Sequence, residues 1–391
     1  MNPARGSAID PDLRKLLLII AAFNWTALLL LARRAPLDYV AFFTAGHLVA
    51  SGQGRSLFDL ATQTNFQTVV LGKSGTLPYY HLAYEALVFA PLSLLPFALS
   101  LWMYRLIVGA SIFGICRISA QIFQLKFSDT FLLVMSFLSV ATAFAQGQDS
   151  LILLLCIAIC FWLLMKDRDM LAGAFLSFAL FKPQLIIPIA VILAWKRRGR
   201  FTAAFSIGAA LTIVTSTLLT GFSGWLQWQQ LVKLAGSGSG GEIGASANWM
   251  ANIRGLLNTF IHSGHELTAV TVTLSVVVGG ITLYCLRKFT DPRDYLPAAS
   301  AMSLLVSYHS NIHDLAILLI PILSLVATKT RTVATHVCLG LCFVFPFFLA
   351  LGIVPYFAVI AIFLWILTLH RDHGVAFQST EESTFDEPKV N

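Results

Sequence analysis

Carboxylates, histidines and amides gather in a few short polar stretches of a chain that is otherwise strongly apolar. Asp38 follows the first apolar run and the pair Arg33-Arg34, which places it at a water interface. Partial desolvation and neighbouring cations can set the pKa of a carboxylate so that it acts as a general base toward a substrate. Spacing alone equally allows Asp38 to cap a helix that begins at Tyr39.

Two groups of histidines lie near carboxylates. His81 and Glu85 are four residues apart, so on a helix they would share a face and could form a hydrogen bond. The same spacing suits a metal, but without a third ligand nearby we predict no metal site. His309, His313 and Asp314 end an apolar run, where they are costly unless something polar faces them. The alternative is a satisfied polar cap between two helices.

Amides and cations elsewhere could bind hydroxyls or phosphate. Gln148 follows a glycine in the turn 146–149, which on spacing alone is equally a plain turn. Asn252 and Arg254 follow a Gly/Ser-rich run at 236–245. A guanidinium can bind phosphate with two parallel hydrogen bonds, although a lipid-headgroup anchor without a catalytic part would look the same.

Lys182 and Pro183 interrupt the apolar segment 170–194, which basic residues flank at both ends. We predict a broken, re-entrant pair of half-helices, which membranes tolerate where protein or a wet cavity satisfies the freed backbone. Lys182 could reach a lipid phosphate or a half-helix carbonyl, or it could hold the re-entrant turn.

Composition sets the class of protein. The 391 residues are 57% hydrophobic and 12% charged, with mean hydropathy +0.78, whereas about a quarter of the residues of a soluble domain are charged. Long uncharged runs exclude a soluble enzyme, a nucleic-acid binder and a β-barrel porin. The six cysteines lie within apolar runs without a CxxC pair, so neither disulfides nor a zinc site is implied.

Apolar runs of the length that a bilayer core of ~30 Å requires predict an all-α polytopic membrane protein with about ten spanning helices. The first run, 16–32, has no cleavage pattern and is interpreted as a spanning helix, not a signal peptide. The others lie at about 97–118, 127–145, 150–165, 201–220, 267–286, 296–308, 313–328, 333–351 and 355–369. They form one transmembrane domain, 16–370, between a cytoplasmic N-terminus, 1–15, and a disordered acidic tail, 371–391.

Lysine and arginine counts set the orientation. With a cytoplasmic N-terminus, inside segments hold 18 of the 26 cations and outside segments hold six, as the positive-inside rule requires. Outside then lie a loop at about 33–80, the turn 146–149, a loop at 221–266 and the turn 308–314. We therefore expect interfacial helices in the outer loops, both termini in the cytoplasm, and any chemistry on the extracytoplasmic face of a cell membrane.

The polar stretches, taken in order over about residues 15–370, resemble glycosyltransferase family 87, whose studied members are mannosyltransferases that use polyprenyl-phosphate donors. The residues that carry the likeness are Asp38-Tyr39 with Gly46, Gly52 and Leu57-Phe58-Asp59; His81-x-x-Tyr84-Glu85-Ala86-Leu87 leading to Ala90-Pro91-Leu92-x-x-Leu95-Pro96; Gly147-Gln148; Ala172-Gly173 with Phe181-Lys182-Pro183-Gln184; Asn252-x-Arg254-Gly255-Leu256; and Tyr308-His309-x-x-x-His313-Asp314-Leu315. Leu82-Ala83 departs from the Pro-Pro pair that members often carry there.

The resemblance implies a GT-C membrane fold and transfer of a sugar, mannose or another hexose or pentose, from a polyprenyl-phosphate donor to a lipid or glycan acceptor with inversion. The family's acidic base in the first outer loop falls on Asp38. The residues expected to bind donor phosphate or substrate are Arg254, His313, Asp314, His309, Gln148, His81, Glu85, Asn252, Lys182 and Arg34. No cofactor, metal or nucleic-acid partner is expected.

Two other classes of protein fit the hydropathy. A transporter or flippase of lipid-linked saccharides would also have broken helices and intramembrane charge, but the sequence shows no repeated half and its polar residues collect at one face. A non-catalytic assembly protein of the cell envelope would not need that one-sided cluster.

Overall fold

The computed structural model describes residues 9–31, 38–72, 77–196, 198–236, 250–262, 264–328, 332–344 and 355–370. These residues are almost entirely helical, and no strand occurs among them. This confirms an all-α polytopic membrane protein. Arg34 and the tail 371–391 lie outside the described residues.

The longer helices of the described residues are numbered along the chain. In order they are α1 (Pro11–Leu31), α2 (Tyr39–Ala50), α3 (Leu60–Leu71), α4 (Phe97–Phe123), α5 (Phe127–Ser136), α6 (Leu138–Gln146), α7 (Ser150–Leu164), α8 (Asp169–Phe178), α9 (Pro183–Trp195), α10 (Gly199–Gly236, kinked at Gly221), α11 (Ile253–Asn258), α12 (Gly264–Leu286), α13 (Pro292–Val306), α14 (Leu319–Ala327), α15 (Val333–Phe343) and α16 (Pro355–Leu369). Short helical segments lie at Gly54–Ser56, Ala83–Glu85, Ala86–Phe89, Leu92–Leu94, Ala179–Phe181 and Ile312–Leu318.

Within the described residues, α1, α4, α10 and α12 are long and apolar enough to cross a membrane, and the bent pair α5–α6 would make a fifth span. Large apolar side chains such as Leu218 and Val276 are exposed on α10 and α12. Such surfaces suit contact with lipid and would be a liability in water. The other predicted spans contain shorter helices, so the expectation of about ten spans exceeds what helix length alone supports.

The run 127–145, predicted as one continuous span, is broken. α5 and α6 meet at Phe137 with a bend of 67°, and a bend in apolar surroundings frees backbone carbonyls. Asn24 of α1 donates to the carbonyl of Ser136 at 3.0 Å, and Trp25 donates to that of Met135 at 2.9 Å. Polar side chains of α1 therefore satisfy the carbonyls at the break.

The predicted break in 170–194 is confirmed. α8 continues through Ala179–Phe181, and α9 begins at Pro183, where the missing N–H is not needed. Between them Lys182 reaches Ser150 at the first turn of α7. The helices return to their starting level, because Arg198 after α9 binds Asp169 at the start of α8.

Contacts between helices occur at both ends of the bundle, and we name each end by one residue that lies there. At the Asp38 end, Trp228 of α10 donates to the carbonyl of Tyr80, and Asn252 donates to that of Ser307. At the Lys196 end, Lys196 donates to the carbonyls of the turn after α12. Because Gln148 also donates to Asp38 and Tyr80 contacts His309, four polar stretches that are far apart in the sequence lie at one end.

The part of the predicted first outer loop that the structure describes, 38–72 and 77–80, is largely helical. α2 is buried on nearly every residue, so it is part of the core and not an interfacial helix. Asp59 caps α3, accepting from the backbone N–H of Ala61 at 2.8 Å. This part of the chain therefore contributes a buried helix to the core instead of forming an irregular loop.

Candidate active site

The turn between α6 and α7 fixes the centre of the site. Gly147 has φ of +71°, and a Cβ added there would lie 2.7 Å from the Cβ of Tyr39. Only glycine combines that conformation with so close an approach. Tyr39 is itself fixed by a 2.6 Å hydrogen bond between its hydroxyl and that of Ser100. The turn is therefore pressed against the residue that follows Asp38.

Asp38 is held by an amide and faces open space. Its Oδ2 accepts from Nε2 of Gln148 at 2.6 Å, and it makes no capping hydrogen bond to α2. The capping interpretation is therefore wrong. Asp38 and Gln148 line a cavity of about 120 Å³, whose wall also includes Tyr80, His81 and Asn311. Among the described residues, no cation forms an ion pair with Asp38.

Behind this cavity lies a buried ion-pair network centred on Lys182. Its ammonium nitrogen lies 2.7 Å from Oδ1 of Asp149, 2.6 Å from Oδ1 of Asp314 and 2.7 Å from Oγ of Ser150. The ammonium donates to Asp314 and Ser150, and Asp149 pairs with it by charge. Ser150 in turn donates to Asp314 at 2.8 Å. Lys182 thus reaches the site, but two buried carboxylates already neutralise its charge.

His81 extends the network toward the cavity. Its Nδ1 lies 2.8 Å from Oε2 of Glu85 and 3.2 Å from Oδ2 of Asp149. The spacing predicted the contact with Glu85, but its helical basis is wrong, since His81 precedes the short turn Ala83–Glu85. Tyr79 also donates to Glu85, at 3.2 Å.

Charge sets the protonation of these groups. Burial lowers the pKa of His81, but Glu85 and Asp149 outweigh it and raise that pKa to about 10. Burial raises the pKa of Glu85 to about 7, even though His81 opposes the shift. Burial also opposes ionisation of Asp149, yet Lys182 and His81 hold its pKa well below the usual range. At neutral pH His81 is therefore positively charged and Asp149 is negatively charged, whereas Glu85 is close to the midpoint of its titration.

The same cluster has the ligand types of a metal site. His81, Glu85 and Asp149 bring one ligand atom each to within 4.8 Å of one another, and Asp149 is the third ligand that the sequence left unidentified. His81 Nδ1 already holds a proton between two carboxylates, however, and Lys182 neutralises Asp149. A metal would have to displace both contacts.

A second wall of the site is aromatic and neutral. The hydroxyl of Tyr80 lies 3.1 Å from Nε2 of His309. Burial lowers the pKa of His309 to about 4, and the positive charges of Lys182 and Arg254 add to that shift. His309 is thus a neutral hydrogen-bonding group, and the charges of both cations favour its neutral form. Nε2 of His313 lies 3.6 Å from Oδ2 of Asp314.

Arg254 is buried at the start of α11. Its guanidinium stacks 4.0 Å over the ring of Tyr308. Asn252 holds this segment in place, because its Oδ1 accepts from Gly255 at 3.0 Å and its Nδ2 donates to the carbonyl of Ser307 at 2.7 Å. Asn252 is therefore a positioning residue for Arg254 and for the loop that carries His309.

Sequence reasoning missed several residues of this site, including Tyr80 in the cavity wall. Asp149 and Ser150 bind Lys182 across more than thirty positions, and Asn311 lines the cavity. Asp149 had one signal, a carboxylate directly before a long apolar run. Asn311 had another, since its backbone N–H donates to Oδ2 of Asp314 at 2.9 Å across the spacing of a capping box.

Comparison with known proteins gave one match. A family model described as glycosyltransferase family 87 matches residues 84–321. This range is more than half of the chain and includes Gln148, Asp149, Lys182, Arg254 and Asp314. No curated protein and no solved structure matches.

Proposed function

The chain belongs to glycosyltransferase family 87 and is a membrane glycosyltransferase, and we propose that it transfers a sugar from a polyprenyl-phosphate donor to a lipid or glycan acceptor. In this proposal Asp38 is the general base, the reaction inverts the anomeric carbon, and the site faces the extracytoplasmic side.

The observation that carries the proposal is the contrast between Asp38 and the other carboxylates of the site. Asp38 lines a cavity and is oriented by the neutral amide of Gln148. Asp149 and Asp314 are buried against Lys182, and Glu85 is bound to His81. Only a carboxylate with a free lone pair facing a cavity can accept a proton from a bound hydroxyl.

The chemical step needs one base. The acceptor hydroxyl gives its proton to a carboxylate oxygen of Asp38 while its oxygen bonds to the anomeric carbon of the donor. The bond between that carbon and the phosphate oxygen breaks, and its electron pair leaves with the polyprenyl phosphate. Phosphate is a stable anion and needs no general acid. One displacement without a covalent intermediate inverts the centre.

Charge develops on the leaving phosphate, and Arg254 together with the neutral second wall is suited to stabilise it. Arg254 supplies a guanidinium, and Tyr80, which lines the cavity, and His309 supply hydrogen-bonding groups. Preorganised donors of this kind stabilise a transition state more than a ground state. Lys182, His81 and Glu85 position the wall and do not bind the donor in this scheme, which includes no metal.

The charge distribution supports the extracytoplasmic side. Cations are concentrated at the Lys196 end, in the segments after α9 and α12, and such ends favour the cytoplasm. Cysteine labelling of intact cells checks this. Lys233→Cys at the Asp38 end should react with an impermeant reagent, and Lys288→Cys at the other end should not. The reverse pattern would contradict the orientation.

Sugar transfer by the purified protein in detergent tests the function. We expect transfer from a synthetic polyprenyl-phosphate sugar, with mannose tried first, and none from the matching nucleotide sugar. Use of the nucleotide sugar would contradict the donor. Movement of the intact lipid-linked sugar across a liposome bilayer, without transfer, would instead identify a flippase.

A further inference from the structure

A large cavity lies at the opposite end from the site. It has a volume of about 800 Å³ and opens among the segments that follow α7, α9 and α12. α7 and α9 each begin at the Asp38 site and end beside this cavity. The sugar-transfer chemistry proposed above does not use it.

The cavity is basic. Its lining includes four cations, Lys196, Arg198, Arg200 and Arg287, against two carboxylates, Asp167 and Asp169. Asp169 is already neutralised, because Arg198 donates to it at 2.7 Å. Three cations then face one carboxylate, so a bound anion would be favoured.

Several of these cations keep donors for a ligand. Arg200 is exposed and its side chain makes no hydrogen bond or ion pair with any residue that the structure describes. Arg198 uses Nε on the Tyr295 hydroxyl at 3.1 Å and one terminal nitrogen on Asp169, which leaves its second terminal nitrogen. Arg287 uses one nitrogen on the hydroxyl of Tyr284 at 3.1 Å. Guanidinium groups are matched to phosphate oxygens.

Aromatic side chains place the cavity at the level of lipid headgroups. Trp195 lines it and is 41% exposed, and Tyr284, under Arg287, is 62% exposed. Lys166 stacks 3.7 Å over Trp162 at the end of α7. Tryptophan and tyrosine beside lysine and arginine mark the boundary between a bilayer and water, and basic pockets between helix ends at that depth bind anionic headgroups.

We propose that this cavity binds the phosphate group of an anionic membrane lipid, held by Arg200 and Arg287 with support from Arg198. The assignment rests on the cavity, its charge and its aromatic rim, and it does not depend on the activity at Asp38.

Lipid retention on the intact protein, measured by native mass spectrometry, tests this. Phosphatidylglycerol and phosphatidylcholine with the same acyl chains serve as probes. One cation near an anionic lipid changes affinity by about fivefold, so wild type should retain the anionic lipid at least about fivefold better. Arg200→Gln with Arg287→Gln should bring the ratio close to parity.

The matched control is Arg168→Gln with Lys288→Gln. It removes two exposed cations from the same end that do not line the cavity, and it should keep the wild-type ratio. No preference in wild type, or an equal loss in the control, would overturn the proposal. Inorganic phosphate that stabilised the protein in detergent as strongly as phosphatidylglycerol would also overturn it, because the ligand would then be soluble.

Discussion

Asp38 and Asp149 are carboxylates on either side of one turn, and their surroundings differ in every respect that matters for proton transfer. Asp38 is half-buried, bound by the amide of Gln148 and open to a cavity. Asp149 is buried and lies between Lys182 and His81. The same residue type is thus available as a base in one place and locked as a counter-ion in the other.

The difference shows how a broken helix can serve a site without touching substrate. Lys182 lies at the break between α8 and α9 and joins α7 to the segment that begins at Ile312. A buried ion pair adds little net stability, but an unpaired buried charge is very costly. The network therefore fixes the turn that carries Gln148, and Gln148 orients Asp38.

The first prediction breaks the buried region. Lys182→Met keeps the length of the side chain and removes its charge, which leaves Asp149 and Asp314 buried against each other. We expect the free energy of unfolding to fall by about 3–5 kcal/mol, measured by denaturant unfolding in detergent. Asp314→Asn in the same chain should recover part of the loss. An unchanged unfolding midpoint in the single variant would contradict the role of Lys182.

The second prediction moves the turn between the two regions. Gly147→Ala adds a Cβ against Tyr39 in a left-handed conformation, which should cost about 2–4 kcal/mol of stability. Gly72→Ala is the matched control, because Gly72 also has positive φ, but its added Cβ would meet nothing within 4 Å. Equal losses in the two variants would show that the contact with Tyr39 is unimportant.

The third prediction removes only the orienting contact. Gln148→Leu deletes the N–H that binds Asp38, and hydrogen bonds to charged groups contribute about 1.5–3 kcal/mol. Steady-state transfer should therefore show kcat reduced about 10- to 100-fold at near-normal stability. Gln146→Leu, on the other side of Gly147, should leave kcat within severalfold of wild type. If both variants were equally slow, the hydrogen bond to Asp38 would not be the cause.

The last prediction about stability concerns its dependence on pH. The folded-state pKa of His81, raised from 6.5 to about 10, gives a contribution that is complete below about pH 6.5 and is lost as the pH rises toward 10. The pKa of Glu85 is raised to about 7. The stability that its bound proton contributes is therefore lost by the middle of that range.

Unfolding midpoints between neutral pH and about pH 10 check this. Wild type should become less stable across the range, and His81→Gln should flatten that slope. His47→Gln removes a histidine that stacks on Phe66 outside the network, and it should keep the wild-type slope. If His81→Gln kept the wild-type slope, His81 would not be the source of the pH dependence.

The sequence predicted local features better than long-range ones. The break at Lys182-Pro183 was predicted because proline cannot continue a helix, and the approach of His81 to Glu85 followed from their spacing. The bend at Phe137 was not, since the apolar pattern runs through it without a glycine or proline. The partners of Lys182, 33 and 132 positions away, depend on helix packing, which no local pattern encodes.

Transfer by Asp38→Asn, measured beside Asp314→Asn, tests the central claim most directly. The asparagine keeps the shape of the side chain and an oxygen to accept from Gln148, but it cannot take a proton. Because proton removal contributes about 10²–10⁴-fold, the Asp38 variant should lose at least that much single-turnover transfer at an unchanged unfolding midpoint, whereas Asp314→Asn should lower the midpoint. Transfer at the wild-type rate by folded Asp38→Asn would contradict the account.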